Sequence, residues 1–462
     1  MPDARTQSLG AIPADRAPVG DDRYLMAAGL WVLLSIVIGN LGARLFGEES
    51  TRTILAAWLL HPGDAWHDSW EAMTGVIDWL DKPHEGLLYQ TIFFQERIKF
   101  QYPPTSLLPL ALLQKMHFVL SLRLLNTINW LFIAATAASM AVFATLLAAR
   151  VAGAPERRAP LRRLLVGGTA VLATLTFYPV MKSYSLGQIQ VWINAFFAFA
   201  CLCWICGWRL PAGMLIGAIC LFKPQFGLFV LWGLLRWQWP FLIGWCLTFG
   251  PGLLVSIAIY GLADHLDYLP VLSFLSWHGE IYYPNQSVNG LLNRLLGNGD
   301  SLAFDFHGFP PFVPLIYGGT LLSSVLLLAG ALFLRGRRPD RGGLLDFMTA
   351  ALSFTLASPI AWEHHFGILL PILAALLFVA LAQRDGRSPW PSLLVLGLSY
   401  FLCSNVLPPT EATASGLASL AQSYLLLGAL CALWLLYRLR MPAGFDRPAP
   451  GVMIAADLHS LR

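Results

Sequence analysis

Uncharged apolar runs long enough to cross a lipid bilayer recur from one end of this chain to the other. A spanning helix needs roughly 20 consecutive apolar residues, because hydrocarbon offers no partner to an exposed backbone N–H or C=O. Of the 462 residues, 56% are hydrophobic and only 12% charged, against about 25% charged in soluble domains. The expected fold class is an all-α polytopic membrane protein. The net charge of +4 is small, and the arginines sit in short loops instead of on a basic stripe. That pattern excludes nucleic acid as a partner. All seven cysteines (Cys201, Cys203, Cys206, Cys220, Cys246, Cys403 and Cys431) fall inside apolar segments. Cys203 and Cys206 form a C-x-x-C, but no second pair or histidine stands nearby at zinc spacing, so they read as small apolar residues.

Residues 1–23 are polar and rich in Pro, Ala and charge, which predicts a disordered cytoplasmic N-terminus. Residues 438–462 read as a cytoplasmic tail, and 24–437 as one transmembrane domain in a plasma (inner) membrane. The run 24–46 lacks a clear small-residue cleavage site, which predicts an uncleaved first span. Arginine-rich loops at Arg150–Arg163, Arg335–Arg341 and Arg384–Arg387, with Arg438 and Arg440, are expected on the cytoplasmic side. Placing them together predicts spans at 24–46, 123–149, 164–182, 190–208, 239–262, 312–335, 343–361, 366–383, 388–407 and 414–437. Between 208 and 239, two short apolar pieces flank Lys223-Pro224-Gln225. Pro cannot continue a helix interior, so two short helices meeting at an outward-facing break are expected. The total is about 12 transmembrane helices, with both termini inside and outer segments at 47–122 and 263–311. The Pro-broken stretch 103–116 reads as a juxtamembrane helix of the first outer loop.

Chemistry-bearing residues gather on the expected outer side. Between Ala65 and Leu80, Trp66, Trp70, Met73, Ile77 and Leu80 recur at spacings of 4, 3, 4 and 3. At about 100° per residue they form one apolar stripe, and Asp64, Asp68, Glu71 and Asp78 project from the other side. Two readings stay open for this row: a solvated acidic face, or the carboxylate base that an attacking hydroxyl needs. Phe100-Gln101-Tyr102-Pro103-Pro104-Thr105 fixes the chain's direction as it re-enters the interface. Gly187-Gln188-Ile189-Gln190 opens a span with two amides, fit either to bind sugar hydroxyls or to bridge helices. Lys223 is an ionisable group within membrane sequence, hence a site hypothesis beside the plainer reading of a snorkelling anchor. The second outer segment carries Trp277 to Gly290, dense in aromatics and amides, followed by Arg294. Glu363 lies between Trp362 and His364-His365. Adjacent histidines diverge on a helix, so hydrogen bonding to a phosphate or carboxylate is favoured over a shared metal.

In this order, Asp68, Phe100-Gln101-Tyr102-Pro103-Pro104, Gly187-Gln188, Lys223-Pro224, Asn285-Gln286-Ser287 and Ser358-Pro359 with His364-His365 resemble glycosyltransferase family 87. The resemblance spans about residues 24–437. It implies a GT-C-type fold and a polyprenyl-phosphate sugar donor, such as polyprenyl-phosphate mannose, with transfer to a lipid or glycan acceptor outside or in the periplasm. It also implies an acidic base in the first outer loop, matched here by Asp68, with Asp64 and Glu71 as runners-up and acceptor contacts. Departure of the anionic phosphate would then be assisted by Lys223, His364, His365 and Arg294, while Tyr102, Gln188, Asn285 and Gln286 orient sugar. The configuration would invert, with no cofactor expected and with metal dependence left open. The segment 78–101 departs from the family pattern and leaves acceptor and sugar open. The competing class is a transporter or flippase for a lipid-linked or polar solute, which broken helices and a membrane Lys also suit. Against it, the two halves show no repeat, and the polar groups collect at one face.

Overall fold

The computed structural model describes residues 22–47, 51–61, 63–152, 159–383, 388–408, 410–414 and 416–441. The expectations for residues 1–21 and 442–462, and much of two arginine-rich loops (153–158 and 384–387), lie outside the described residues. The described chain is almost wholly helical, and its one β-type pairing is an isolated bridge between Asn285 and Trp362.

Six helices are long and apolar enough to cross a membrane, or seven if the bent pair Pro160–Thr176 and Tyr178–Ser185 counts as one span. The other expected crossings become shorter apolar helices of 10–17 residues, so length supports fewer crossings than about 12. The reason is visible in Leu344–Leu356, whose 13 residues are all buried. Such a helix packs against protein along its whole length and ends where its neighbours end. The span predicted at 164–182 is broken at Phe177, where the axis turns by 49° and Pro179 starts the next helix.

The segment around Lys223 folds as expected. Helix Arg209–Cys220 stops, Lys223 takes an extended conformation, and Pro224 opens a 3₁₀ turn that leads into helix Leu228–Leu235. Helix Arg209–Cys220 lies directly on helix Trp239–His278. A Cβ on Gly213 would stand 1.9 Å from the Phe241 carbonyl oxygen, and one on Gly244 2.1 Å from that of Leu210. Small residues at such crossings let backbones touch, a membrane packing device.

Helix Trp239–His278 has 40 residues and kinks at Gly261, where φ is +81°. The segment 263–311 therefore opens as helix. Its Asp267 carboxylate accepts from the backbone N–H groups of Tyr89 (2.7 Å) and Gln90 (3.0 Å), and Asp264 accepts from Leu88 (3.0 Å). These carboxylates cap the π-helical turn Gln90–Gln95 from across the structure. Facing the opposite end, the buried Arg236 meets Asp346 at 2.7 Å and donates to the carbonyls of Ala331 and Leu332. Arg335 pairs with Asp340 at 3.0 Å. Arginines of the expected inner side are thus neutralised in pairs.

Candidate functional site

The candidate site is organised by the turn 185–189. Helix Asp68–Leu80 buries Trp70, Met73 and Ile77 of the expected stripe, with Val76 beside them and Leu80 half-buried. Trp66 departs from that expectation: it precedes the helix and is 77% exposed, because the chain there is drawn away to pair with the turn. The Trp66 N–H donates to the Ser185 carbonyl (2.9 Å), and the Asp68 N–H to that of Leu186 (3.0 Å). Gly187 permits this approach. Its φ is +66°, and a Cβ there would lie 1.8 Å from the Trp66 carbonyl oxygen. From the other side Asn126 donates to the carbonyls of Ala65 (2.8 Å) and Trp66 (3.1 Å) and accepts from the Trp70 indole (3.0 Å).

The result is a bonded quartet of Asp68, Ser69, Tyr102 and Gln188. The Gln188 amide nitrogen donates to Oδ2 of Asp68. Its oxygen accepts from Ser69 (2.6 Å) and Tyr102 (3.1 Å). The second Asp68 oxygen has no hydrogen-bond partner among the described residues. Asp68 stays open to solvent at the helix start, yet protein atoms crowd its carboxyl. Burial raises its pKa above the ordinary value of 3.8, the Gln188 hydrogen bond partly offsets this, and the charge of Glu71 adds to it. Burial also pushes the Tyr102 phenol up, which keeps it a donor. Asp64 and Glu71 are exposed and stand outside the quartet.

Two tyrosines hold the backbone at Tyr102. Tyr89 donates to the Tyr102 carbonyl (2.5 Å), and Tyr268 to that of Gln101 (2.9 Å). Lys99 joins the segments 47–122 and 263–311 through Glu280 at 3.0 Å and rests over Phe304 and Phe309. Beyond Tyr102, the Thr105 hydroxyl donates to the Leu221 carbonyl at 2.5 Å, two residues before Lys223. The Trp192 ring bridges the same ground, 5.7 Å from Trp70 and 6.2 Å from Phe222.

Around the break the basic groups gather. Lys223 is buried. His364 feels the charges of Lys223 and Lys182, and His365 that of Lys223. The two imidazole rings sit 4.8 Å apart and almost perpendicular. His364 is 4% exposed, and its Nε2 is buried with no hydrogen-bond partner among the described residues. Glu363 accepts from the Tyr178 hydroxyl at 3.0 Å. Among the described residues no three His, Cys, Asp or Glu side chains gather as a metal site. Lys182 escaped the sequence reading, although an ionisable residue in an apolar run five positions before Gly187 was the available signal.

Three further expected site residues are enclosed by protein. Asn285, Gln286 and Arg294 are each 0% exposed. Asn285 donates to Glu280 and Pro359 carbonyls and accepts from the Ala361 N–H. Gln286 donates to the carbonyls of Tyr283 and Gln422, both at 2.7 Å, and accepts from the N–H groups of Leu425 and Leu426. Arg294 donates to Asn285 (3.0 Å), Ile281 (3.3 Å) and Ser423 (2.8 Å). These contacts knot residues 280–294 to the turn before His364 and occupy both ends of each amide. The Arg294 guanidinium faces carbonyls and Ser423, and its Nε is buried with no hydrogen-bond partner among the described residues.

Comparison with known proteins adds an independent line. The sequence pattern of Glycosyltransferase family 87 matches residues 100–359. The match begins after Asp68 and ends before His364. Over 405 residues, 84% of each chain, the protein is 24% identical to a polyprenol-phosphate-mannose-dependent alpha-(1-2)-phosphatidylinositol mannoside mannosyltransferase of Mycobacterium tuberculosis. It is 25% identical to the protein of the same name from Mycolicibacterium smegmatis over 266 residues, 55% of this chain and 57% of that one. A third relative, from the same organism, is a polyprenol-phosphate-mannose-dependent alpha-(1-2)-phosphatidylinositol pentamannoside mannosyltransferase. It is 30% identical over 122 residues, 26% of this chain and 27% of its own. No solved structure matches the chain.

Proposed function

This chain belongs to glycosyltransferase family 87, and we propose that it moves a mannosyl group from polyprenyl-phosphate mannose to a hydroxyl of a lipid or glycan acceptor. The names of the mycobacterial relatives support that donor. The reading includes a GT-C-type architecture, a site on the extracytoplasmic face and inversion at the anomeric carbon. The paired arginines Arg236 and Arg335 support the orientation, since positive charge favours the cytoplasmic side.

One observation carries the reading: the segment 182–194 joins a carboxylate with a free oxygen to a basic group containing an unpartnered buried nitrogen. Lys182 belongs to the basic group and Gln188 holds Asp68. In the proposed step, the free oxygen of Asp68 takes the proton of the acceptor hydroxyl. That hydroxyl attacks the anomeric carbon from the side opposite the phosphate, and the C–O bond to phosphate breaks. The polyprenyl phosphate leaves as an anion and needs no proton. Lys223, Lys182, His364 and His365 provide the compensating charge and hydrogen bonds. Gln188 orients the base, and Tyr102 fixes Gln188 by donating to its oxygen.

The test is transfer of radiolabelled mannose from a short-chain polyprenyl-phosphate mannose to membrane lipid extract by the purified protein in proteoliposomes. The expected result is a mannolipid whose new linkage has the configuration opposite to the donor's. A retained configuration would remove the direct displacement, and absence of transfer would remove the activity.

A further inference from the structure

A cleft of about 540 Å³ opens on the polar side of helix Asp68–Leu80. Its walls combine His67, Glu71, Thr74, Asp78 and Gln114 with the apolar strip Phe118, Val119, Leu120 and Leu122. Glu71, Thr74 and Asp78 follow at spacings of three and four, so they form one stripe about 10 Å long on the helix. His67 and Glu71 bring the cleft to the edge of Asp68, and the charge of Glu71 acts on the Asp68 carboxyl.

We infer that this cleft receives the acceptor, and that the part of the acceptor next to the reacting hydroxyl is an uncharged polyol attached to a hydrocarbon chain. This rests on the transferase reading above. Neither the Glu71 nor the Asp78 carboxylate has a hydrogen-bond or ion-pair partner among the described residues, and both are exposed. Carboxylates accept strongly from hydroxyl donors, so Glu71 can take a hydroxyl of the ring whose neighbouring hydroxyl meets Asp68, and Asp78, two turns further along the helix, can take a hydroxyl from the next part of the polyol. No lysine or arginine lines the cleft, although Lys115 and Arg123 adjoin its lining residues in sequence. A phosphate or carboxylate on the bound ring would face two like charges, which is costly when water is displaced. Part of the lining is apolar, and Phe118 and Val119 are exposed, Val119 by 83%. An uncompensated apolar strip beside a membrane-embedded body suits the acceptor's hydrocarbon chain. The basic group at Lys223 and the acidic cleft thus sort the two substrates by charge, with anionic donor on one side and neutral head on the other.

The experiment compares octyl mannoside with octyl mannoside 6-phosphate as acceptors, using wild type and a Glu71→Gln, Asp78→Asn double variant in proteoliposomes. Thermal unfolding of both proteins is followed in parallel, and both substitutions are at exposed positions. Wild type is expected to prefer the uncharged acceptor at least about tenfold in kcat/KM. The double variant is expected to raise the KM for the uncharged acceptor about tenfold, leave the donor KM unchanged, and narrow the preference against the phosphorylated one. A purely structural role for the two carboxylates would not narrow that preference. Equal use of the two acceptors by wild type, or an unaltered acceptor KM in the variant, overturns the inference while transfer to lipid extract upholds the transferase. Absence of transfer to lipid extract as well overturns both.

Discussion

Two polar regions of this protein look alike in sequence and differ in use. The turn around Gly187-Gln188 and the knot around Asn285-Gln286 both join amides to charged or aromatic neighbours beside an expected outer loop. In the knot, both ends of the Gln286 amide are occupied by backbone groups, and Arg294 faces carbonyls and Ser423 with its Nε unpartnered among the described residues. Around the turn, Asp68 keeps one oxygen free and His364 keeps a buried nitrogen unpartnered. Residue type alone does not separate the two. What separates Gln286 from Asp68 is hydrogen-bonding capacity left over after folding: both ends of the amide are taken, whereas one carboxylate oxygen at the protein surface stays free for a ligand.

The sharpest break of this contrast comes from Asp68→Asn. Loss of a positioned base costs about 10²- to 10⁴-fold in rate, so mannosyl transfer should fall by that factor in proteoliposomes. Stability should not fall. A carboxyl whose folded pKa is raised favours the folded state when protonated and burdens it once pH exceeds that pKa. Removing the charge at neutral pH should therefore leave the unfolding temperature unchanged or slightly higher. Arg294→Met should do the reverse. It orphans several buried carbonyls and Ser423, at about 1–3 kcal/mol for each group left unsatisfied, and should lower the unfolding temperature clearly.

How much of this was legible depends on the range of the contact concerned. The helix Asp68–Leu80 and the break at Lys223 could be read, because a stripe of Trp70, Met73 and Ile77 and a Pro at position 224 act locally. The role of Gln286 could not, because its partner Gln422 lies 136 residues away. Nor could the capping of Tyr89 by Asp267 across 178 residues. Six or seven of the expected crossings are long enough to span and the others are shorter apolar helices, for a related reason. Hydropathy registers burial but not whether lipid or protein supplies it, and Leu344–Leu356 is surrounded by protein.

Smaller effects sharpen the comparison within the turn region. His364→Ala removes a hydrogen-bonding group proposed to meet a charged phosphate, worth about 1.5–3 kcal/mol. A rise of roughly 10- to 100-fold in donor KM is expected, with the acceptor KM and the unfolding temperature little changed. The pH profile provides the smallest signal. Activity needs Asp68 ionised, so kcat/KM should fall as pH drops through a value above the ordinary 3.8. Glu71→Gln removes a charge that raises this pKa and should move the acid limb to lower pH.

The most direct test is the specific transfer activity of Gln286→Leu, measured per folded molecule. Gln286 has the residue type of a sugar ligand and a fully occupied amide at 0% exposure. The expected result is a lowered unfolding temperature, with the fraction that remains folded transferring mannose at the wild-type rate and with the wild-type donor KM. Normal stability with lost transfer would place Gln286 at the substrate and contradict the division between the two regions.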